Sequence, residues 1–209
     1  MLWVFLYLYM KQIFLTHIAF LSTLGLFGQI PLKLFNETRT IEQAKKLIES
    51  YPKSEAKLFT IVSDKDTSDI LLPLFDKKTG YTFKIDNYLY KIIDTNSYPE
   101  FRASYIYLDG NQLSPKELDS TRIIIMTKFK NGAPFYELVR EYTMDGNPTG
   151  DLGWFTENAM VKDFEMAVKK HTKGDIFTVD IPENKWHYVT FKTFDNRITK
   201  KITLLKIKK

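Results

Sequence analysis

Apolar positions recur with two different periods along this chain, and the change of period marks where the elements change. IEQAKKLIES (41–50) carries a helical pattern, opened by a capping box of Thr40 with Gln43 and stopped by Pro52. LFTIV (58–62) and GYTFKIDNYLYKIID (80–94) alternate aromatic or β-branched residues with polar ones and predict strands. The run SDKDTSD (63–69) holds three acids but lacks the glycine and terminal Glu of a calcium loop, so it reads as a solvated turn. RASYIYL (102–108) predicts another strand. Ser114-Pro115-Lys116-Glu117 is a second capping box with Pro at the first helical position; its helix runs to about Lys130 and stops at Asn131-Gly132. Phe135, Leu138, Val139 and Tyr142 then stand at i, i+3, i+4 and i+7 of a further helix.

After the loop TMDGNPT comes GDLGWFTENAMVKDF (150–164), too apolar for an ordinary loop and too rich in Gly and Asn for a long helix. The helix DFEMAVKKHTKG (163–174) follows, closed by Gly174. DIFTVDI and WHYVTFKTF are strands joined by the turn PENK, and ITKKITLLKI is a last strand expected to extend the same unit. Strand, helix, helix, loop, helix, strand, strand is the order of an α+β domain with a mainly antiparallel sheet flanked by helices. A small mixed α/β segment, residues 29–98, precedes it. SDILLPLF…YLYKIID also echoes GDIFTVDI…HYVTFKTFD, either as a degenerate half-copy or, the preferred reading, as two similar strand pairs.

Composition changes this picture little. The 209 residues are 44% hydrophobic and 26% charged, enough for a real core. The 30 Lys+Arg against 25 Asp+Glu are mixed along the chain, apart from the tail KITLLKIKK, and no aromatic-basic signature points to RNA, so nucleic acid is not an expected partner. Cysteine is absent, which removes thiol chemistry, disulfides and cysteine metal sites.

The first 28 residues say more. From Met10 onward a Lys, an apolar run from Ile13 to Phe27 and a small-residue exit at Gly28 follow the order of a secretory signal. The nine residues before Met10 add an uncharged apolar extension that a signal does not need, which points to Met10 as the start codon. An uncleaved membrane anchor is the rival reading, because the apolar stretch is long enough to span a bilayer. Either way, the rest of the chain is expected in an extracytoplasmic place: periplasm, cell envelope or medium.

Conventional catalytic signals are missing: there is no GxSxG, no phosphate-binding glycine loop and no HExxH. Beyond residue 28 only His171 and His187 remain. His171 sits beside lysines at a helix end, where a cation suits the dipole, and reads as structural. Taken alone, His187 on its strand would be a core histidine.

EYTMD…GDLGWFTENAMVKDFEMAV…KKHTKGDIFTVDIPENKWHYVTFKT resembles a parvulin-type peptidyl-prolyl cis/trans isomerase. Such domains carry a GGDLG(W/F) turn, a Met and a Phe opening a helix, a G-E/D-I strand and a final strand with His. FRASYIYL resembles the family's first strand and NGAPFYELVREYTMD the helix leading into its active-site loop. The likeness covers about residues 99–195 and implies a parvulin-like domain, taken as 99–209; with the signal or uncleaved anchor at 1–28, an accessory segment is left at 29–98.

The resemblance also implies a site. Leu152, Met160 and Phe164 match the apolar cup that receives the proline ring, and Phe155 the neighbouring aromatic wall. Asp145 matches the position beside the substrate carbonyl. His187 matches the second of two family histidines and Asn184 a small polar position in the turn before it. Two departures stand out: Tyr105 replaces the first histidine and Thr149 the first glycine of the turn. Phosphate-directed members place cations after the first strand; DGNQLSPKELD has acids outnumbering its single lysine, so no phospho-Ser/Thr requirement is expected.

The implied function is isomerisation of X–Pro bonds in unfolded or extended polypeptides during folding of exported proteins, with no cofactor or metal. The competing reading is a catalytically weak or inactive chaperone that grips prolyl segments, and Tyr105 is the feature that raises it.

Overall fold

The computed structural model describes residues 28–66 and 68–209; apart from Gly28, the signal-like segment lies outside the described residues. Among these, no helix is long and apolar enough to cross a membrane. The chain divides into two compact units, one running up to Ser97 and taking in Lys200–Lys209, the other Tyr98–Thr199.

The first unit contains α1 (Leu32–Glu37), α2 (Ile41–Ser50), β1 (Lys57–Val62), β2 (Thr82–Ile85), most of β3 (Tyr88–Phe101) and most of the last strand, β8 (Arg197–Lys208). Thr40 caps α2 through the reciprocal bonds its sequence announces, with Gln43. Two α1 carbonyls, Phe35 O and Asn36 O, accept from the buried Lys91 Nζ at 3.1 and 2.8 Å. The sheet order is β1-β8-β3-β2, and β1 pairs antiparallel with β8 from Lys57↔Lys206 to Val62↔Lys201.

This corrects two expectations. The last strand does not extend the parvulin-like unit; it is an inner strand of the first unit's sheet. Its side chains explain the placement. Ile202 and Leu204 join a cluster with Ile61, Leu74 and Ile92, while Leu205 and Ile207 join another with Phe35, Ala44 and Leu47. A strand apolar on both faces belongs inside a sheet that is covered on both sides. The boundary of the second unit moves accordingly, from 99–209 to 98–199. The echo fails too, since Leu72–Asp76 is a 3₁₀ turn with Leu74 buried, not a strand.

The second unit is built on a three-stranded antiparallel sheet, β4-β7-β6, from β4 (Ser104–Asp109), β6 (Ile176–Ile181) and β7 (Trp186–Phe191). Its helices are α3 (Pro115–Lys130), α4 (Phe135–Tyr142) and α5 (Lys162–Lys170), with a short β5 (Phe155–Thr156) paired to Glu100 and Phe101. Ser114 and Glu117 close the expected capping box on α3, a motif that stabilises a helix start by about 1 kcal/mol. The periodic residues of α4 bury Phe135, Leu138 and Val139.

Strand alternation gives the sheet two different faces. Ile106, Leu108 and Val189 point to α3 and α4, in a cluster with Leu118, Ile125, Phe135, Leu138 and Val139. Phe177, Val179 and Ile181 point to the other side, against Phe164 and Val168 of α5, and Tyr105 and Tyr188 pack there as well. The structure is α+β with an antiparallel sheet flanked by helices, as the element order implies.

Candidate active site

On the α5 side of the sheet, β4, the 143–153 loop and the start of α5 enclose a cavity of about 160 Å³. Its walls are Tyr105, Asp145, Leu152, Met160, Val161, Phe164 and Tyr188. Apolar cavities of about 150 Å³ take up benzene, so the space suits one small ring.

The loop is bound to β4 atom by atom. Met144 N–H donates to Tyr107 O at 2.9 Å, and Tyr107 N–H donates to the Thr143 hydroxyl at 3.2 Å. Asn147 Oδ1 accepts from Thr149 N–H and Gly150 N–H at 3.3 and 3.2 Å, which folds TMDGNPT into an Asx turn. Gly150 has φ +62°, and a Cβ there would lie 2.3 Å from Tyr105 O, so only glycine lets the chain pass this close. Asp151 then holds the turn: Arg102 reaches its carboxylate with Nε at 3.2 Å and an Nη at 2.5 Å, and Gly153 N–H donates to it at 3.0 Å. The Arg102 guanidinium keeps the Asp151 carboxyl below its usual range. Leu152 N–H donates to Ala103 O at 3.2 Å, which leaves the Leu152 side chain on the cavity side.

Asp145 is the one charge on the wall. The Tyr105 hydroxyl donates to its Oδ2 at 2.7 Å, while the Thr143 hydroxyl (2.9 Å) and Asn147 N–H (3.2 Å) donate to Oδ1. Burial, then this bond to Asp145, pushes the Tyr105 hydroxyl above its ordinary pKa, so it stays a donor. The rings interlock edge to face: Tyr105 meets Phe164 at 6.3 Å and Tyr188 at 5.7 Å, and Phe164 meets Tyr188 at 5.2 Å.

Five of the expected site residues thus come together: Tyr105, Asp145, Leu152, Met160 and Phe164. Three do not. Phe155 is buried in the core beside Phe101, ring centroids 5.8 Å apart, because β5 pairs with Phe101 and turns it inward. Asn184 is exposed in the 3₁₀ turn Pro182–Asn184 and does not reach the cavity.

His187 faces the opposite side of the sheet. Its Nδ1 lies 2.6 Å from Asp180 Oδ1, which also pairs with Arg122 of α3. A carboxylate only accepts, so Nδ1 carries the hydrogen. Burial pushes the Asp180 carboxyl up, but the bonds from His187 and Arg122 outweigh it and hold it below its usual value. The register gives the physical reason. Ile181 pairs with Trp186 and Asp180 with His187, so His187 shares the face of Asp180, and Tyr188 shares the face of Val179. Tyr188 therefore stands on the cavity wall where the family likeness put His187. Tyr188, Val161 and Thr143 are the site residues missed. The signal for Tyr188 was present: a four-residue turn between Ile181 and Trp186 fixes the parity of every position after it. His171 is structural as expected, its ring stacked on Phe177 at 3.7 Å.

The model of the PPIC-type PPIase domain matches residues 87–191, half of the chain. Two foldase proteins named PrsA are similar: 33% identity over 84 residues in Geobacillus sp. strain WCH70, and 36% over 84 in Geobacillus kaustophilus, each over 39% of this chain. These matches take in only 28% and 27% of the two relatives' lengths. A solved peptidylprolyl isomerase, PrsA from Bacillus anthracis, aligns over 47% of this chain and 42% of its own at 30% identity and TM-score 0.39.

Proposed function

The chain belongs to the PPIC-type PPIase domain family, and from that premise we propose that it isomerises X–Pro bonds in unfolded or extended polypeptides and so assists the folding of exported proteins. The observation that carries this reading is the ring-sized cavity with a single carboxylate on its wall, pinned by Tyr105 and Thr143. The relatives' names, foldase and isomerase, support catalysis over a binding module that only grips prolyl segments.

The chemistry asks little of the site. No covalent bond breaks; an amide is twisted whose rotation barrier is about 18–20 kcal/mol. Left alone, an X–Pro bond isomerises in roughly tens to hundreds of seconds. A ten-thousandfold acceleration needs about 5.5 kcal/mol of preferential stabilisation of the twisted state. Leu152, Met160 and Phe164 grip the proline ring while the carbonyl side rotates. The planar amide is the more dipolar form, so moving it from water into this apolar cup raises its energy relative to the twisted form. Asp145 adds to this: a negative charge beside the carbonyl oxygen disfavours the charge-separated resonance form that keeps the bond flat. Tyr105 orients that carboxylate, and no proton changes hands. Tyrosine in place of histidine is expected to lower the rate without abolishing it.

The pattern of residues 1–28 supports export, as a cleaved signal or as a retained anchor, and mass spectrometry of the mature N-terminus separates the two. The first unit would hold client chains. Acids outnumber cations in DGNQLSPKELD, so clients need no phosphate. The test is an exchange assay by NMR on an unphosphorylated Ala-Pro peptide. Rate enhancement is expected; peptide binding without it would leave only a chaperone.

A further inference from the structure

We propose that Tyr188 is a catalytic residue of this site, its hydroxyl donating a hydrogen bond to the prolyl nitrogen as the amide twists. The assignment rests on the isomerase reading given above. Three observations lead to it. First, of the two tyrosines on the cavity wall, Tyr105 has already given its hydroxyl hydrogen to Asp145 at 2.7 Å. The Tyr188 hydroxyl has no acceptor among the hydrogen bonds of the described residues, and it is not among the buried unpartnered polar atoms, so it remains open to a ligand. Second, the ring that carries it is held in place. Tyr105, Tyr107 and Phe164 crowd the Tyr188 ring with centroids at 5.7, 5.6 and 5.2 Å, and strand β7 fixes its backbone against Tyr107. Third, the hydrogen is retained over the physiological range. Burial, then the nearby Tyr107, Tyr105 and Asp145, push its pKa up to about 12.

The partner follows from amide chemistry. In the planar amide the nitrogen lone pair is delocalised into the carbonyl and accepts nothing. As the bond twists, the pair localises on nitrogen and becomes an acceptor. A donor at that point interacts with the twisted state alone, which is the kind of contact that raises kcat without tightening substrate binding. The same donor aimed at the carbonyl oxygen would favour the planar form and slow the reaction. A hydroxyl fits the role because it lends its hydrogen without releasing it, and the bond is undone when planarity returns.

The full chain is tested with an Ala-Pro peptide by NMR exchange, measuring kcat and KM from pH 6 to 9. Y188F is expected to lose about 100-fold in kcat with KM unchanged, as for removal of one donor to charge that develops in the transition state. Y188H is expected to recover part of the rate and to acquire a pH inflection near the histidine value of about 6.5, absent from the natural chain. Y188F at the natural rate overturns the assignment. So does Y188F with a raised KM and unchanged kcat, which would make the hydroxyl an ordinary binding contact. A natural chain that gives no rate enhancement overturns the isomerase reading itself, a result distinct from either.

Discussion

The two faces of the β4-β7-β6 sheet are made by the same strands and do opposite things. Toward α3 and α4, Ile106, Leu108 and Val189 are shut off from solvent and locked into an apolar core. Toward α5, Tyr105, Tyr107 and Tyr188 from the same strands remain partly exposed, and Tyr105 and Tyr188 line a cavity. The charged groups divide the same way. On the packed face, Asp180 is ion-paired with Arg122 and hydrogen-bonded to His187. On the cavity face, Asp145 is held by neutral donors and keeps its charge free to act on a ligand. One face is filled by its own side chains; the other keeps an open cavity.

That contrast can be broken by substitution. Leu108→Ala should cost about 2–5 kcal/mol of stability, because the truncation leaves a void in a face that cannot collapse. Leu152→Ala, at the edge of an existing cavity, should cost less than half as much while still reducing peptide turnover. Denaturant midpoints for the pair decide it, and equal losses would remove the distinction between the faces. Gly150→Ala lies next in size. Its φ of +62° and the 2.3 Å approach of a Cβ to Tyr105 O predict a loss of about 1–3 kcal/mol together with misplacement of Leu152.

The pH response should separate the faces next. Asp180 has a lowered pKa in the folded state, so its contribution is present above the unfolded value and lost as pH falls through the folded one. Tyr188 has a raised pKa, so its contribution is present below about pH 10 and lost as pH rises toward about 12. Melting temperature should therefore fall at both extremes, with H187A flattening the acid limb and Y188F the alkaline one. The smallest effect is the most discriminating. H187A should leave the isomerisation rate within about twofold, since its imidazole contacts Asp180 and Arg122 on the far face; a tenfold loss would return His187 to the site.

Most of the second unit was legible from its sequence, since its signals are local. The capping box at Ser114, the 3.6-residue period of α4 and the Gly150–Gly153 turn each act within a few residues, and each appears where expected, as does the Thr40 box in the first unit. What failed depended on partners distant in the chain. Nothing within ITKKITLLKI says that it will pair with Lys57–Val62, although the runs Leu204-Leu205 and Ile207, apolar on both faces, argued for an inner strand. His187 was misplaced by a single step of parity, because a family motif was matched by residue type where the PENK turn fixes the face. Phe155 was misplaced for the same reason: its neighbour in sequence, Trp154, says nothing of its neighbour in space, Phe101.

The most direct measurement is the cis/trans exchange rate of an Ala-Pro peptide by NMR, with and without the chain, for the natural protein and for Met160→Ala. The account predicts a large acceleration by the natural protein and its near loss in Met160→Ala, with circular dichroism unchanged. Exchange that proceeds equally fast with and without the natural protein, or acceleration that survives Met160→Ala in full, would contradict the claim that this cavity is where proline is turned.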